Sequence, residues 1–406
     1  MLHASGSEHE SNVVSQQDQF RYEVREWLAA NCPDSMRQPY RSEKDVCWGG
    51  RKWEFQSEDQ ELWLKRMSEA GWTAPDWPIQ YGGGGLDRAQ TKILKQELKR
   101  IGARDPLFSF GITIIGPALL KYGSEELKMQ HLPPMVRGEI RWVQGLSEPN
   151  AGSDLAGIQT KAEELAGHYI VNGSKIWTSY GDKGDWMFAV VRTDPKASKY
   201  DGLSLVLFDM TSSGVTTRPI KLINGTSHFT ETFFDDVRVK TNQVVGYPHN
   251  GWAITKYMLT HEREMNAETG TMSSGEESIS GIAVKELGLH NGYLSNLVLR
   301  SEIARFEIAE LCHQLTIERA RDETKAGASL GQAVSMIKYY GTEVHKHRQE
   351  LLMSIGSHKS LAWEGAQSND GELAKKWLLS KSYSIGGGTS EILLNIVAKR
   401  ILGLPT

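Results

Sequence analysis

Two short segments of this chain hold residues whose types and spacing suit ligand chemistry. The first reads Gly145-Leu146-Ser147-Glu148-Pro149-Asn150-Ala151-Gly152-Ser153-Asp154. Pro149 fixes one backbone angle and Gly152 frees another, so the segment is a loop. Ser147 and Ser153 bring hydroxyls, and the loop backbone brings N–H donors. Such a loop can hold an anionic or carbonyl-rich ligand. A plain capped turn uses the same residues, and physics alone favours it. The second segment is Tyr383-Ser384-Ile385-Gly386-Gly387-Gly388-Thr389-Ser390-Glu391-Ile392. Three glycines in a row read as a turn, with Thr389 or Ser390 capping the helix that follows.

The elements that must position these segments come in three stretches. From about Gln17 to Arg137 the periodicity is helical, with Phe20, Val24, Trp27 and Leu28 on one face. The Pro- and Gly-rich stretch from Thr73 through Gly85 breaks it as a long loop. From about Glu139 to Gly246 the pattern is that of strands. His168 to Trp177 reads as two short strands around an Asn172-Gly173 turn. Trp186–Val191, Leu203–Phe208 and Val215–Leu222 are further strands. From Trp252 helical periodicity returns, with an apolar stripe of Ile303, Phe306, Ala309, Leu311, Leu315 and Ile317 on a helix ending near Gly327. Residues 268–296 are polar and Gly-rich and read as including a long exposed loop. The expected fold class is α+β: an N-terminal helical domain (13–138), a central β-domain (139–246) and a C-terminal helical bundle (247–406).

Composition narrows the function class. The chain has 406 residues, 39% hydrophobic and 24% charged, with a net charge of −4. No basic block points to nucleic acid, and no apolar run is long enough to span a bilayer. Cys32, Cys47 and Cys312 lack metal-ligand spacing and suit a reducing compartment, with cytoplasm the default. Residues 1–12 are polar, lack the order of a signal peptide and read as a frayed terminus.

The loop at 145–154, with Trp177-Thr178-Ser179, resembles the flavin-binding signatures of the acyl-CoA dehydrogenase family. The resemblance extends over nearly the whole chain. It takes in the Trp-Pro and poly-Gly loop at 77–85, Leu119-Leu120-Lys121-Tyr122-Gly123 with Leu132-Pro133-Pro134, Gly388-Thr389-Ser390-Glu391-Ile392, and Ile401-Leu402-Gly403-Leu404-Pro405. It implies bound FAD, a CoA thioester substrate, α,β-dehydrogenation, and an electron-transfer flavoprotein as acceptor. By the same resemblance Gln144, Leu146 and Ser147 line the flavin ring, and Ser153 faces the CoA ligand and the flavin edge. Trp177 packs near the ring and Ser179 hydrogen-bonds it. Thr389 and Glu391 stand on the flavin side of the tail. Leu259, Arg263 and Ser153 are implied on the substrate side. An aromatic wall excludes water, and hydroxyl or amide donors tune a flavin's electron affinity.

The implied reaction removes a proton beside the thioester, a task for a carboxylate in a dry pocket. Many family members carry that base just before the Gly-Thr of the tail. Here the position is Gly387, which has no side chain and keeps only a backbone N–H for the thioester oxygen. A second family location lies on the first helix after the β-domain, where this chain has His261-Glu262-Arg263-Glu264. Glu262 matches the base position and Arg263 a residue on the CoA side. In isolation a Glu-Arg pair on a helix reads as a solvated face. The coincidence of Gly387 with Glu262 points instead to Glu262 as the base, with His261 and Glu264 turned elsewhere.

The resemblance lapses at the adenosine side of the cofactor. Gly288-Leu289-His290-Asn291-Gly292-Tyr293 stands where the family carries an Arg-x-x-Phe-Gly-like segment. Ser354-Ile355-Gly356-Ser357-His358-Lys359 stands where a Gln- and Gly-rich one is usual. Family members with such departures include paired, non-identical subunits that share FAD sites, so a homo- or hetero-oligomer is expected. Two other readings stay open: a partner subunit that completes another chain's site, and a flavin monooxygenase on the same fold.

Overall fold

The computed structural model describes residues 16–40, 43–269, 277–326, 333–365 and 368–405, with the backbone alone at 43, 263–269, 324 and 325. Residues 1–12, the 270–276 part of the polar stretch and Gly327 therefore lie outside the described residues, as do the side chains of Arg263 and Glu264. In chain order the α-helices are α1 (Gln16–Asn31), α2 (Glu58–Glu69), α3 (Arg88–Arg100), α4 (Gly116–Tyr122), α5 (Glu125–Val136), α6 (Gly251–Thr269), α7 (Ile279–Leu287), α8 (Leu297–Lys325), α9 (Ala333–Gly356), α10 (Glu372–Ser380) and α11 (Ser390–Ile396). The strands are β1 (Trp142–Gly145), β2 (Lys161–Leu165), β3 (His168–Ser179), β4 (Trp186–Arg192), β5 (Leu203–Asp209), β6 (Val215–Ile220) and β7 (Phe229–Lys240). Helices, then one sheet, then helices is the α+β order the residue patterns imply.

The chain divides into two compact units. One is formed by the described part of Met1–Ile112 with Glu125–Arg141, and it is helical. Its core joins Val24 and Leu28 of α1 to Trp63 and Met67 of α2 and Leu94 of α3. Asp87 starts α3 with a capping box: its carboxylate accepts from the Gln90 N–H, and the Gln90 side chain reaches back to the Asp87 N–H. Glu97 is buried on α3 and accepts from Arg21, Arg25 and Arg100. The Arg25 bond, with those of Arg100 and Arg21, outweighs burial and holds the Glu97 carboxyl down to about 2.

The second unit is Thr113–Ser124 with Trp142–Thr406 and contains the sheet and the later helices. Its strands run β1-β4-β2-β3-β7-β6, and β5 also pairs with β4. The β1–β4 pair is parallel, whereas β4–β5, β2–β3, β3–β7 and β6–β7 are antiparallel. Val143, Val171, Met187, Ala189, Val206, Phe208 and Phe234 fill the core on one side of it. The helical part has its own core, where Ile279 and Ala283 meet Ile303, Phe306, Val344 and Leu351.

Two expectations change and a third is refined. Asn172-Gly173 is not a hairpin turn: β3 runs unbroken from His168 to Ser179, and Gly173, at φ +144°, makes a bulge against β7. The turn lies at Ala166-Gly167, where both residues have positive φ and join β2 to β3. Within 268–296, Ile279–Leu287 is a helix, capped by the Ser278 hydroxyl and held by buried Ile279 and Ala283. On α8, Ile303, Phe306 and Ile317 are buried, but Leu311 and Leu315 are each 54% exposed. The buried face of α8 runs through Ile303, Phe306, His313, Ile317 and Ala320, and Leu311 and Leu315 lie off it.

Because Glu97 is more acidic folded than unfolded, its contribution is complete above about pH 4.5 and is lost as pH falls through its folded value of about 2. Glu97→Gln is expected to lower stability at pH 7 by about 2–3 kcal/mol, allowing for screening of the half-exposed arginines, and to flatten the acid limb. Urea unfolding between pH 3 and pH 7 measures both.

Candidate active site

A cleft of about 840 Å³ opens in the second unit between the ends of β1 and β3 and the helices α6, α8, α9 and α10. Among the described residues its lining gathers Gln144, Leu146, Ser147, Ser153, Trp177 and Ser179 with Glu262, Gly387 and Thr389. Segments that are far apart in sequence thus meet at one surface. Leu259 is half-buried on α6, and Glu391 is exposed in the first turn of α11; neither is among the described lining. Glu391's carboxyl is held below its ordinary range by its own backbone N–H and by Thr389.

The 145–154 loop is fixed by a buried ion pair. Lys175 of β3 is fully buried. Its ammonium donates to Glu148 Oε1 at 2.8 Å, to the Leu146 carbonyl at 3.2 Å and to the Val190 carbonyl at 2.7 Å. All three donors are used. The Glu148 carboxylate also accepts from the backbone N–H groups of Gln159 and Thr160, at 2.6 and 3.0 Å. Burial pulls the Lys175 ammonium below its ordinary value, with Glu148 opposing. Burial would raise the Glu148 carboxyl, but the charge and bond of Lys175 and the backbone donors bring it down. Glu148 and Ala151 exchange backbone bonds across Pro149-Asn150, and the Ile176 N–H donates to the Ser147 carbonyl at 2.9 Å. The loop is therefore laced to β3 on the side where Ser147 and Ser153 face the cleft.

Trp177 follows directly. The β3–β7 register shifts between Lys175 and Thr178, and Trp177 has φ +61°. A bulky residue with positive φ is strained, and such strain clusters at functional sites. The consequence is an indole 53% exposed, edge-on to Phe229 at 5.9 Å. Trp177 is not a core tryptophan; its ring lines the cleft.

Glu262 projects from α6 into the same space. Its Oε2 accepts from Gln144 Nε2 at 3.0 Å, so a β1 side chain orients the carboxylate. Gly387 opposes it on the tail loop with φ +66°. A side chain there would cost roughly 1–2 kcal/mol in this backbone conformation, so the loop is ill-suited to carry a carboxylate. The Thr389 hydroxyl accepts from the Ile392 N–H and starts α11, as the capping pattern implies.

Residue patterns did not single out His313, Lys338, Thr342 and His345, which also line the cleft. Lys338, Thr342 and His345 recur at helical spacing on α9, a polar stripe on a largely buried helix. That is the available sequence signal. Burial lowers the basicity of His313. Its ring fits against Gly341, where a Cβ would stand 2.6 Å from Nε2.

With this geometry in view, comparison with known proteins is decisive. The acyl-CoA dehydrogenase N-terminal, middle and C-terminal domain models match residues 15–139, 144–237 and 249–402. The chain belongs to the acyl-CoA dehydrogenase family. It is 32% identical to acyl-CoA dehydrogenase IpdE1 of Mycolicibacterium smegmatis over 397 residues, covering 95% of this chain and 97% of that one. Its fold is similar to that of the Tcur3481-Tcur3483 steroid ACAD, at TM-score 0.75 and 28% identity over 96% of this chain and 97% of that one. It is also similar to a chain of the ChsE4-ChsE5 complex from Mycobacterium tuberculosis, at TM-score 0.73 and 25% identity over 98% and 100% of the two chains. Among the described residues no helix is long and apolar enough to cross a membrane, and no His, Cys, Asp or Glu cluster could hold a metal ion.

Lys175→Met would leave Glu148 buried without its counter-charge, an expected loss of about 3–5 kcal/mol. Lys175→Met with Glu148→Leu is expected to recover a large part of that loss. Denaturant titration of the two variants tests the coupling.

Proposed function

We propose that this chain is an FAD-dependent acyl-CoA dehydrogenase in which Glu262 removes the α-proton of the thioester. The observation that carries the reading is the Glu262 carboxylate in the cleft, oriented by Gln144 at 3.0 Å and facing a tail loop with no side chain at Gly387. The residues present suit a flavin ring. Trp177 offers an open indole face, and Gln144, Ser147, Ser179 and Thr389 offer amide and hydroxyl groups around it. FAD, when bound there, supplies the acceptor for the β-hydride.

The chain's own residues do the rest. Glu262 accepts the α-proton, and Gln144 keeps its carboxylate aimed. The Gly387 backbone N–H donates to the thioester oxygen as enolate charge develops there, a preorganised donor of the kind that stabilises oxyanions. Leu146 and Trp177 keep water from the reacting carbons. Ser153 contacts the thioester side, and Leu259 and Arg263 support the acyl and CoA portions. An electron-transfer flavoprotein then takes the electrons. A carboxylate at the heart of the cleft favours dehydrogenation over oxygen chemistry, which needs no such base.

The cleft rim favours a second chain at the site. Ile223 and Ile385, 79% and 68% exposed, form an apolar rim at the cleft. The similar structures include the Tcur3481-Tcur3483 steroid ACAD and the ChsE4-ChsE5 complex. A related, non-identical subunit covering this rim fits both facts.

Glu262→Gln is expected to slow flavin reduction by a CoA thioester by about 10²–10⁴-fold with flavin content retained. Stopped-flow bleaching measures it, and an unchanged rate overturns the assignment.

A further inference from the structure

Among the described residues that line the cleft, Lys338 is the single Lys or Arg. It stands on α9, only 8% exposed. Removing an ammonium from water costs several kcal/mol unless bonds and charges compensate. Here two bonds go to main-chain oxygens: Nζ donates to the Tyr383 carbonyl at 2.8 Å and to the Gly388 carbonyl at 2.9 Å. Those carbonyls bracket Ser384-Ile385-Gly386-Gly387. Within the bracket, the Ile385 and Gly386 N–H groups turn back to the Ser382 carbonyl at 2.9 and 3.0 Å. Among the described residues, no backbone bond takes up the Gly387 N–H. The loop that brings Gly387 to the cleft is thus closed at both ends by one side chain.

Burial weakens Lys338 as a base, and the carboxylates of Glu262 and Glu343 oppose that. Other titratable groups at the cleft are His345 on α9, His313 on α8 and Tyr383 on the tail, with His261 beside Glu262 on α6. From β1 comes only the neutral Gln144.

We propose that Lys338 is a positioning residue for proton abstraction. It ties both ends of the triple-glycine loop so that the Gly387 N–H faces the thioester oxygen. This rests on the reading of Glu262 as the base. Lys338 touches neither substrate nor reacting atoms in this scheme.

Lys338→Gln keeps a donor and removes the charge. In the flavin-loaded protein, flavin reduction is expected to slow at least tenfold at pH 7, with the dissociation constant for the CoA thioester within about threefold of wild type. Amide hydrogen exchange at Gly386–Thr389 is expected to quicken about tenfold. Wild-type flavin reduction with wild-type exchange at Gly386–Thr389 overturns the proposal, as does an effect confined to the thermal midpoint. If Lys338→Gln does not fold, Lys338→Met decides, since it keeps the length of the side chain and removes both carbonyl bonds. Slower reduction with quicker exchange supports the tie, and wild-type values of both overturn it. Glu262→Gln separates the two claims. Wild-type flavin reduction in that variant means the base assignment has failed. An inactive Glu262→Gln beside a Lys338→Gln with wild-type rate and exchange means that only the role of Lys338 has failed.

Discussion

The buried Lys175–Glu148 pair is the interaction on which the site depends. It places a full ammonium inside a sheet, where an unpaired charge would be intolerable, and answers it with one carboxylate and two carbonyls. One of those carbonyls belongs to Leu146 in the loop, and the other to Val190 on β4. A single side chain therefore fixes the loop that follows β1 to β3 and β4. Glu148 extends the lacing to Gln159 and Thr160. What reaches the cleft, Ser147, Ser153 and the exposed indole of Trp177, does so because the backbone behind it cannot shift. The positive φ of Trp177, two residues after Lys175, persists in the same rigid surroundings.

Across the cleft the helices supply the chemistry that the sheet lacks. Glu262 on α6 meets Gln144 from β1, so the proposed base is oriented from the opposite wall. The tail loop contributes no side chain at 387, and its left-handed backbone there disfavours one. What it offers is an amide, and Lys338 on α9 holds the carbonyls on either side. Two buried lysines, one per wall, each convert a flexible glycine-containing loop into a fixed surface. The polar side of α9 is the cost of that arrangement, since such a stripe would otherwise weaken a buried helix.

Much of this was legible in the residue pattern, for identifiable reasons. β4, β5 and β6 are short apolar or alternating runs with clear ends, and they lie where alternation implies. Thr389 is a cap because its position before an apolar run leaves few other roles. The Asn172-Gly173 pair misled because the same dipeptide serves a hairpin turn or a bulge, and only the β7 partner decides which. The exposure of Trp177 follows from a register shift that no local pattern records. Leu311 and Leu315 fit a helical stripe, but the buried face of α8 runs through His313, Ile317 and Ala320 and leaves them off it. Lys338 was hidden for the opposite reason. It sits between Ile337 and Tyr339 in an ordinary helical run, and its two carbonyl partners lie 45 and 50 residues away in sequence.

The central claim is that Glu262 takes the α-proton, and this step can be watched without the hydride step. A CoA thioester whose β-carbon carries no hydrogen can lose its α-proton but cannot be oxidised. Incubation with the flavin-loaded protein in D₂O, followed by NMR of the α-position, measures proton removal alone. The account predicts deuterium incorporation with the wild-type chain and none above background with Glu262→Gln. Equal incorporation by the two proteins would contradict it.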